Sequence, residues 1–567
     1  MLSVSGKYWE EINVSKRIVD KVKNDNNFSE IISKIIVSKK FDKEELNSIN
    51  YDLEVSNPFL DNKDFKKGHS LLKESLKNKD KIVIVGDYDV DGCVSTSLIV
   101  NYFRLINRNI DYYIPNRFLD GYGASLELIK KLTLKNPNLI IMVDCGSNSN
   151  ETIDYLNKKK IKSIIIDHHE INRPYPNADC LINPKKNCNY NALSYFCSST
   201  LVYYFISSFL NNKDLINTYD KNLINVVLAS ICDVMPLRRL NRIIAKNVIN
   251  NFQDQDNYIY KKILNLKKIN RPIEINDFGF LIGPIINSAG RLGDANKVVK
   301  LLTTQNDNVK NQIIEQIIRT NDKRKKIEEN FFKEININKI KNSNGEIIII
   351  SRELTNEGII GIIASRLKEY FNKPSVVLTK SGNFYKASAR STLDFNIGKY
   401  IKSAIDKKII ISGGGHNLAA GFVIKKNKIR EFEYFINDLY KKHIIKSKKN
   451  YISKISAGAI NFDFFKDINK LGPFGTENSN PVFLLENVNI IKPKIIKDKF
   501  VNFFIKSSSG KLIPAISFNF LESPLNKILL SDKNKMSLIV QIKENIWNNK
   551  KNLQLIVLDC IRNLNKA

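Results

Sequence analysis

Three aspartates alternate directly after a short apolar run in the first part of the chain. The stretch "KIVIVGDYDVDG" at residues 81–92 places Asp87, Asp89 and Asp91 two residues apart. Alternate residues of an extended backbone point the same way, so the spacing predicts that the three carboxylates share one side. Clustered carboxylates repel one another unless a cation neutralises them or one is protonated, and their oxygens suit Mg²⁺ or Mn²⁺. A solvated acidic loop is the alternative interpretation.

Residues of the same kind end three other apolar stretches. They are Asp144 in "NLIIMVDCG" (138–146), Asp167, His168 and His169 in "KSIIIDHHE" (162–170), and Asp233 in the helix-like "NLINVVLASICDVMPL" (222–237). A single such Asp is often a helix cap or turn former, and a single His is often structural. Two adjacent His cannot easily point the same way, so one can bind a metal while its neighbour faces substrate. Asp167 is a candidate acceptor that fixes a His tautomer.

Taken together, these residues form a mixed Asp and His set on neighbouring elements. Such a set can hold two metals that share a bridging carboxylate. A two-metal site activates water and clamps a phosphoryl centre for in-line displacement. The combination therefore predicts a metal-dependent site for phosphate chemistry.

The apolar runs also predict the elements that position these side chains. Each run is short, rich in Ile and Val, and adjoins a helix-like stretch such as "CVSTSLIVNYFRLIN" or "ETIDYLNKKK". Continuous apolar strands that alternate with helices indicate an α/β fold with a doubly wound parallel sheet, covered on both faces. Ligands bind off the carboxyl ends of such strands, which is where the polar residues stand.

The rest of the chain predicts three further parts. Residues 305–338 are charged and amphipathic with few breakers, which indicates one long connecting helix, and a second, smaller α/β pattern begins near 345. In "SGGGHNLAAGF" (412–422), Gly413, Gly414 and Gly415 would let the backbone approach a phosphate, a following helix N-terminus would favour an anion, and His416 adds a donor. A plain helix-capping loop is the alternative. After 451 short apolar and polar runs alternate, which indicates a small β-barrel.

The charge balance favours a polyanionic partner. The 567 residues include 89 Lys and Arg against 58 Asp and Glu, a formal net charge of +31. An AT-biased genome would raise Lys without any such partner, but a surplus this large is typical of proteins that bind nucleic acid. The seven cysteines form no C-x-x-C pair, and no apolar run approaches a membrane span. We therefore expect a cytoplasmic protein.

The motifs "GDYDVDG", "VDCG", "IDHHE" and "ASICDVMPLRRLNR", in that order, resemble those of the DHH phosphoesterase superfamily. Further stretches resemble its bacterial branch of single-stranded-DNA-specific exonucleases and span nearly the whole chain. They are "IPNRFLDGYG" (114–123), "GPIINSAGRLGDA" (283–295), "GIIGIIASRL" (358–367), "ASARS" (387–391), "SGGGHNLAAGF" (412–422) and "GPFGTENSNPVF" (472–483).

The resemblance implies a domain order. A DHH catalytic domain with an N-terminal extension would occupy residues 1–304 and a connecting helix 305–340. A DHHA1 domain would occupy 341–450 and an oligonucleotide-binding (OB) barrel 451–567. The resemblance also implies a 5′→3′ exonuclease that degrades single-stranded DNA to mononucleotides with Mn²⁺ or Mg²⁺. It would act in repair and recombination, with a single-strand-binding protein as partner. We also expect the protein to be a monomer.

Residue roles follow from the same resemblance. The metals would be held by Asp87, Asp89, Asp91, Asp144, His168 and Asp233. His169 would contact the scissile phosphate or assist proton transfer, and Asp167 would orient the histidines. The DNA would be held by Arg117, Arg291, Ser388, Arg390, Gly414, Gly415 and His416.

The chain departs from the family's motifs at two places, and two alternative functions remain open. After the third motif the family usually has a Gly-rich turn, whereas this chain has "SYFCSSTLVYYF" (194–205), and Thr355-Asn356 replaces a common Trp-His. One alternative is a DHH-family phosphodiesterase on short oligoribonucleotides or cyclic dinucleotides, against which the long helix and the β region after 451 argue. The other is a catalytically inactive scaffold that only binds single strands, against which the complete set of metal positions argues.

Overall fold

The computed structural model describes most of the chain. The described residues are 1–50, 56–186, 193–252, 257–335, 340, 347–353, 356–442, 448–497, 500–506, 510–519, 523–531, 535–547 and 550–562. The chain divides into two compact units. The first unit comprises Lys39–Lys323 and Asn469–Asn480, and the second comprises Met1–Ser38, Arg324–Ile468 and Pro481–Ala567. None of the helices in the described ranges is long and apolar enough to cross a membrane.

The strands are, in chain order, β1 Tyr8–Glu11, β2 Ile82–Val85, β3 Asp111–Tyr113, β4 Leu139–Val143, β5 Lys162–Ile166, β6 Cys180–Ile182, β7 Ile348–Ser351, β8 Ser375–Ser381, β9 Phe384–Arg390, β10 Ser412–His416, β11 Ala419–Ile424, β12 Lys448–Tyr451, β13 Ser453–Lys454, β14 Phe483–Ile496, β15 Phe500–Lys506, β16 Leu512–Ser517, β17 Met536–Trp547 and β18 Lys550–Arg562.

The helices are α1 Lys16–Asn26, α2 Glu30–Ser38, α3 Lys43–Asn50, α4 Lys63–Lys77, α5 Val90–Leu105, α6 Leu126–Thr133, α7 Asn150–Lys158, α8 Ser198–Ser207, α9 Lys213–Asp220, α10 Leu223–Cys232, α11 Arg239–Asn250, α12 Tyr258–Leu266, α13 Ile275–Asp277, α14 Gly283–Leu292, α15 Asn296–Thr303, α16 Asp307–Glu334, α17 Ile360–Phe371, α18 Ile397–Asp406, α19 Ile429–Lys441, α20 Phe462–Lys470 and α21 Pro524–Ser531. A π-helical turn, Phe278–Ile282, joins α13 to α14, and short 3₁₀ turns lie at Lys426–Lys428 and Ala457–Ala459.

The sheet of the first unit is parallel throughout. Its strand order is β3-β2-β4-β5-β6, with every neighbouring pair parallel. Alternate residues of β4 enter different cores: Ile141 packs in one apolar cluster and Ile140 in another. Burial on both faces is why these strands are continuously apolar in sequence. The predicted doubly wound α/β fold is confirmed.

The second unit contains two larger sheets. One has five strands in the order β10-β11-β9-β8-β7, in which only β7 and β8 are parallel. The other has six strands, β13-β14-β15-β16-β18-β17, and pairing between β14 and β17 closes it on itself. Closure into a barrel leaves fewer unpaired edges, as the alternating pattern after residue 451 predicts. Helix α16, 28 residues long, confirms the predicted long helix.

The glycine-rich stretch "SGGGH" differs from the prediction of a loop followed by a helix. It forms the exposed edge strand β10, which makes a hairpin with β11, and no helix follows it. The reason lies in "AAGFVI", where Ala420, Phe422 and Ile424 are buried at a spacing of two, which is a strand period. The helix N-terminus beside it belongs instead to α18, since a Cβ on Gly398 would lie 2.8 Å from the Gly415 carbonyl oxygen.

The N-terminal extension packs differently from the prediction that assigned residues 1–304 to one domain. Strand β1 pairs in parallel with β12, and Met1–Ser38 belongs to the second unit. The Trp9 indole Nε1 donates a hydrogen bond of 3.0 Å to Asp559 Oδ2, and Ser3 Oγ donates to the same oxygen at 2.7 Å. These buried contacts attach the segment to β18. The other predicted domain boundaries stay predictions.

We predict that Trp9→Phe lowers the melting temperature of the second unit. The change keeps an aromatic ring but removes one donor to the buried Asp559 carboxylate, which costs about 1–3 kcal/mol. Calorimetry of the full chain measures the effect. Tyr8→Phe on the exposed side of the same strand is the matched control and should leave the transition unchanged. An unaltered transition in Trp9→Phe would contradict this role of the contact.

Candidate metal centre

The three aspartates of "GDYDVDG" lie on a tight turn between β2 and α5, and not on an extended strand. Asp87 follows β2, Asp89 is the N-cap of α5 and accepts a bond of 3.1 Å from the Gly92 amide, and Asp91 lies in the first helical turn. The prediction of an extended backbone is therefore wrong. The turn is so tight that a Cβ on Gly92 would lie 2.4 Å from the Asp87 carbonyl oxygen. Asp87 and Asp89 therefore belong to one possible cation-binding group of side chains, and Asp91 belongs to another.

The remaining predicted ligands come from three other elements. Asp144 follows β4 with a φ of 59°, His168 follows β5, and Asp233 is the C-cap of α10. Nε2 of His168 lies 3.2 Å from Asp233 Oδ2, 3.5 Å from Asp144 Oδ1 and 3.8 Å from Asp91 Oδ2. A left-handed φ is tolerated by Asp and is often found at functional sites. The carboxyl ends of β4 and β5, the N-terminus of α5 and the C-terminus of α10 thus bring these predicted ligands together.

Three overlapping groups of these side chains could each hold a cation. Within each group, the ligand atoms lie within 4.8 Å of one another. The groups are Asp87, Asp89 and Asp144; Asp91, His168 and Asp233; and Asp144, His168 and His169. Asp144 occurs in two of them, which fits the predicted pair of metals that share a carboxylate. Every predicted metal ligand belongs to at least one group.

The electrostatics of the site also fit a divalent cation. Burial, reinforced by the neighbouring carboxylates, raises the pKa values of Asp87, Asp144 and Asp233 well above their usual range. Burial lowers the pKa of His168, which favours the neutral imidazole that binds metals. Asp87 Oδ1, Asp144 Oδ2, Asp233 Oδ2 and both ring nitrogens of His168 are buried without a hydrogen-bond partner. Such unpartnered polar atoms are rare in folded proteins, and the carboxylate oxygens and the unprotonated ring nitrogen of His168 are atoms that a cation would bind.

Asp167 orients His169 and not His168. Asp167 Oδ1 lies 2.8 Å from His169 Nδ1, and the carboxylate also accepts the amides of Ser147, His168 and His169. Burial alone would lower the pKa of His169, but the hydrogen bond and charge of Asp167 raise that pKa to about 9. Nε2 of His169 faces the Tyr122 hydroxyl at 3.2 Å. The predicted division of roles between the two histidines is consistent with these contacts.

Ser198 and Ser199 contact the metal centre, although the sequence identified them only as a departure. They form the first turn of α8. The Ser198 amide donates to Asp91 Oδ2 at 2.8 Å, and the Ser199 amide donates to Asp91 Oδ1 at 2.9 Å. The Ser198 hydroxyl donates to Asp144 Oδ1 at 3.0 Å, and the Ser199 hydroxyl donates to Asp91 Oδ1. The only signal in the sequence was the pair of small polar residues where a Gly-rich turn was expected.

Two of the predicted DNA contacts lie in the first unit. The guanidinium of Arg117 stacks 4.1 Å from the centre of the Tyr88 ring, and its Nε is buried without a hydrogen-bond partner. Arg291 lies in α14, next to Gly290. A Cβ on Gly290 would lie 2.2 Å from the Tyr88 carbonyl oxygen, so only glycine permits this approach. Both arginines are therefore held beside the loop that carries Asp87 and Asp89.

The other predicted DNA contacts lie in the second unit. On β9, Arg390 Nη1 donates to Ser388 Oγ at 3.1 Å, and a Cβ on Gly361 of α17 would crowd both side chains. Burial lowers the pKa of Arg390. Gly414 and His416 are exposed on β10, and space around Gly414 is open to 4 Å. Asn356 accepts the Gly358 amide at 2.8 Å, whereas Thr355 lies outside the described residues.

Fold and site together define a DHH-type protein, with a carboxylate and histidine metal centre at the strand ends of a parallel sheet. The sequence profile for the DHH family, N-terminal domain, matches residues 81–231. The profile for the DHHA1 domain matches 344–442, and that for the RecJ OB domain matches 453–559. Together they cover well over half of the chain. The chain belongs to the RecJ family, which confirms the resemblance seen in the sequence.

Known RecJ proteins are similar to this chain over most of their length. The chain is 25% identical to the single-stranded-DNA-specific exonuclease RecJ of Bacillus subtilis, over 97% of this chain and 70% of the relative. It is 26% identical to that of Escherichia coli, over 80% and 83% respectively. The crystal structure of RecJ with Mn²⁺ from Thermus thermophilus has a TM-score of 0.82 at 18% identity, covering 98% of this chain and 79% of that one. At 18% sequence identity, this structural similarity shows that the two proteins have the same fold.

We predict that Asp144→Asn stabilises the protein in EDTA and weakens its response to Mn²⁺. The amide removes one charge from a group of buried carboxylates but keeps an acceptor for Ser198. Because a cation binds the folded state, Mn²⁺ should raise the melting temperature of the wild type far more than that of the variant. The gain in EDTA should be about 2–4 °C for each kcal/mol of repulsion removed.

The pH dependence of this effect has a definite sign. A carboxyl whose pKa is raised by folding destabilises the folded state above that raised pKa, and the penalty disappears as the pH falls and the group is protonated. The advantage of Asp144→Asn in EDTA should therefore be full at alkaline pH and should shrink towards acid. Asp154→Asn, on the exposed face of α7, is the control and should show neither effect. An equal Mn²⁺ shift in wild type and Asp144→Asn would contradict the assignment of Asp144.

Proposed function

We propose that this protein is a metal-dependent 5′→3′ exonuclease that hydrolyses single-stranded DNA to mononucleotides. The observation that carries the proposal is the convergence of the six predicted ligands into overlapping cation-binding groups, which are linked through Asp144 and His168. Relatives over most of the chain are single-stranded-DNA-specific exonucleases, and a net charge of +31 suits a polyanionic substrate. Mn²⁺ or Mg²⁺ would be held by Asp87, Asp89, Asp91, Asp144, His168 and Asp233.

The chain's own residues have separate tasks in this reaction. Bound divalent cations would supply a water of lowered pKa and a counter-charge for the phosphoryl oxygens. Asp144, shared by two groups, would hold the two cation sites at a fixed separation. Asp167 holds the Nδ1 side of His169, so the Nε2 side of that ring is turned away from the carboxylate. There His169 would hydrogen-bond the scissile phosphate or transfer a proton.

The substrate would be bound by the arginines and the small residues around them. Arg117 is held flat on Tyr88 with an unused buried donor, and Arg291 lies beside the same loop. A guanidinium binds phosphate oxygens through two parallel hydrogen bonds, which suits a strand end. In the second unit, Ser388, Arg390, Gly414, Gly415 and His416 would contact the DNA backbone. The OB barrel would add stacking and charge along the strand.

The setting of the enzyme is part of the proposal. We propose that it acts in the cytoplasm as a monomer, in DNA repair and recombination, and together with a single-strand-binding protein. A phosphodiesterase that acts on short oligoribonucleotides or cyclic dinucleotides is the alternative. Comparing hydrolysis of a two-nucleotide RNA with that of long single-stranded DNA separates the two. Faster turnover of the short RNA would overturn the exonuclease assignment.

We predict that Asp144→Ala abolishes cleavage of end-labelled single-stranded DNA in Mn²⁺ but leaves DNA binding intact. Changes behind metal ligands already cost about 10–100-fold, so the loss of a shared ligand should cost more than about 100-fold. Gel electrophoresis of the products measures cleavage, and fluorescence anisotropy in EDTA measures binding. Duplex DNA should be a poor substrate for the wild type. Unchanged cleavage by Asp144→Ala would refute the metal assignment, and binding without cleavage by the wild type would favour an inactive scaffold.

We predict that Arg117→Met raises KM for single-stranded DNA by about 10–100-fold, since a charged hydrogen bond contributes about 1.5–3 kcal/mol. Methionine keeps an apolar side chain against Tyr88 but removes the guanidinium. Steady-state kinetics with wild type and variant measure the effect. Arg108→Met is the control, because Arg108 bonds the Leu76 carbonyl oxygen at the surface and should not contact substrate. Equal KM values in wild type and Arg117→Met would exclude this role.

A further inference from the structure

The first turn of α8 presents four hydrogen-bond donors to two carboxylates of the metal centre. Two are backbone amides, which any residue would supply at a helix N-terminus. The other two are the hydroxyls of Ser198 and Ser199, and both side chains are fully buried. These hydroxyls belong to the stretch of this chain where the resemblance led us to expect a Gly-rich turn. Glycine at either position would keep the amide donor and remove the hydroxyl donor.

At Asp91 the donors use most of the acceptor capacity. Oδ1 accepts the amide and the hydroxyl of Ser199, and Oδ2 accepts the amide of Ser198. A carboxylate oxygen has two acceptor positions, so one remains, on Oδ2. That oxygen faces His168 Nε2 at 3.8 Å. Asp91 can therefore bind a cation through a single oxygen.

The Ser199 hydroxyl is itself fixed by a neighbour. Its single hydrogen goes to Asp91, and Ser95 Oγ of α5 lies 3.2 Å from Ser199 Oγ. Because that hydrogen is already used, the hydrogen of this second contact comes from Ser95. Ser95 and Ser199 are both fully buried. The relay from Ser95 through Ser199 to Asp91 leaves the carboxylate little freedom to rotate.

At Asp144 the arrangement is different. Oδ1 accepts the Ser198 hydroxyl, while Oδ2 is buried and has no hydrogen-bond partner. One position on Oδ1 and both on Oδ2 remain for cations. Asp144 occurs in two of the cation-binding groups, whereas Asp91 occurs in one. The Ser198 hydroxyl thus orients Asp144, which two cation-binding groups share, and the Ser199 hydroxyl orients Asp91, which belongs to a single group.

We propose that Ser198 and Ser199 are positioning residues that set how this metal centre binds its cations. The Ser198 hydroxyl holds Asp144 for both cations, and the Ser199 hydroxyl restricts Asp91 to one oxygen for one of them. A hydrogen bond draws charge from a carboxylate, which by itself weakens metal binding. The orientation it imposes outweighs that effect, since the loss of such partners costs about 10–100-fold in affinity. The inference rests on the proposed two-metal function.

The test is Mn²⁺ binding to the full chain, followed by electron paramagnetic resonance of the free ion. Ser→Ala removes a hydroxyl but keeps the amide donor, so the helix N-terminus is preserved. Ser198→Ala should weaken both binding events, and Ser199→Ala should weaken one, each by about 10–100-fold. Ser207→Ala and Ser208→Ala are matched controls, because those hydroxyls bond carbonyl oxygens at the other end of α8. Both controls should bind Mn²⁺ as the wild type does.

The outcomes separate this inference from the proposed function. Wild-type affinity in both variants would overturn the inference, as would equal weakening of both binding events in Ser199→Ala. A purely structural role would lower the melting temperature in EDTA without changing the affinity of the folded protein, and that result would also overturn it. If the wild type bound two Mn²⁺ ions but cleaved no DNA, only the proposed function would fail. If the wild type bound no Mn²⁺, both would fail.

Discussion

The mutual repulsion of buried carboxylates is the constraint on which the first unit depends. Asp87 and Asp144 are out of contact with bulk water and Asp233 is half-buried, and burial with neighbouring charge raises the pKa values of all three. Carboxylates in such a place are stable only with a proton or a cation between them. The parallel sheet, packed on both faces, supplies the rigidity that holds them there. The same rigidity keeps Asp144 in its left-handed conformation.

The ends of three helices add partial charges around these carboxylates. The N-termini of α5 and α8 meet at Asp91, which lies in the first turn of α5 and accepts the first amides of α8. The positive ends of two helix dipoles therefore stabilise that carboxylate. Asp233 lies at the opposite kind of end, the C-terminus of α10, where the dipole adds negative potential. Helix N-termini of the protein thus stabilise the charge of Asp91, whereas the charge of Asp233 is left for a cation to neutralise.

The first turn of α8 adds side-chain donors to those of its backbone. At about 25% identity to RecJ relatives, the chain matches the DHH, DHHA1 and RecJ OB domain models in that order. Several kinds of side chain can donate a hydrogen bond to one carboxylate oxygen. A turn rich in Gly offers amides only, whereas Ser198 and Ser199 add hydroxyls from the same backbone position.

The sequence by itself determined the class of fold, the kind of site and the candidate ligands, because apolar runs and strand-end Asp and His residues are local patterns. It misjudged the backbone at Asp87–Asp91 and the helix after Gly415, since both depend on which strand or helix packs alongside. Tertiary structure alone decided that Asp167 holds His169, that Ser198 and Ser199 reach Asp91 and Asp144, and that β1 joins β12. Those contacts join residues far apart in the chain, and no local spacing encodes a distance between separate elements.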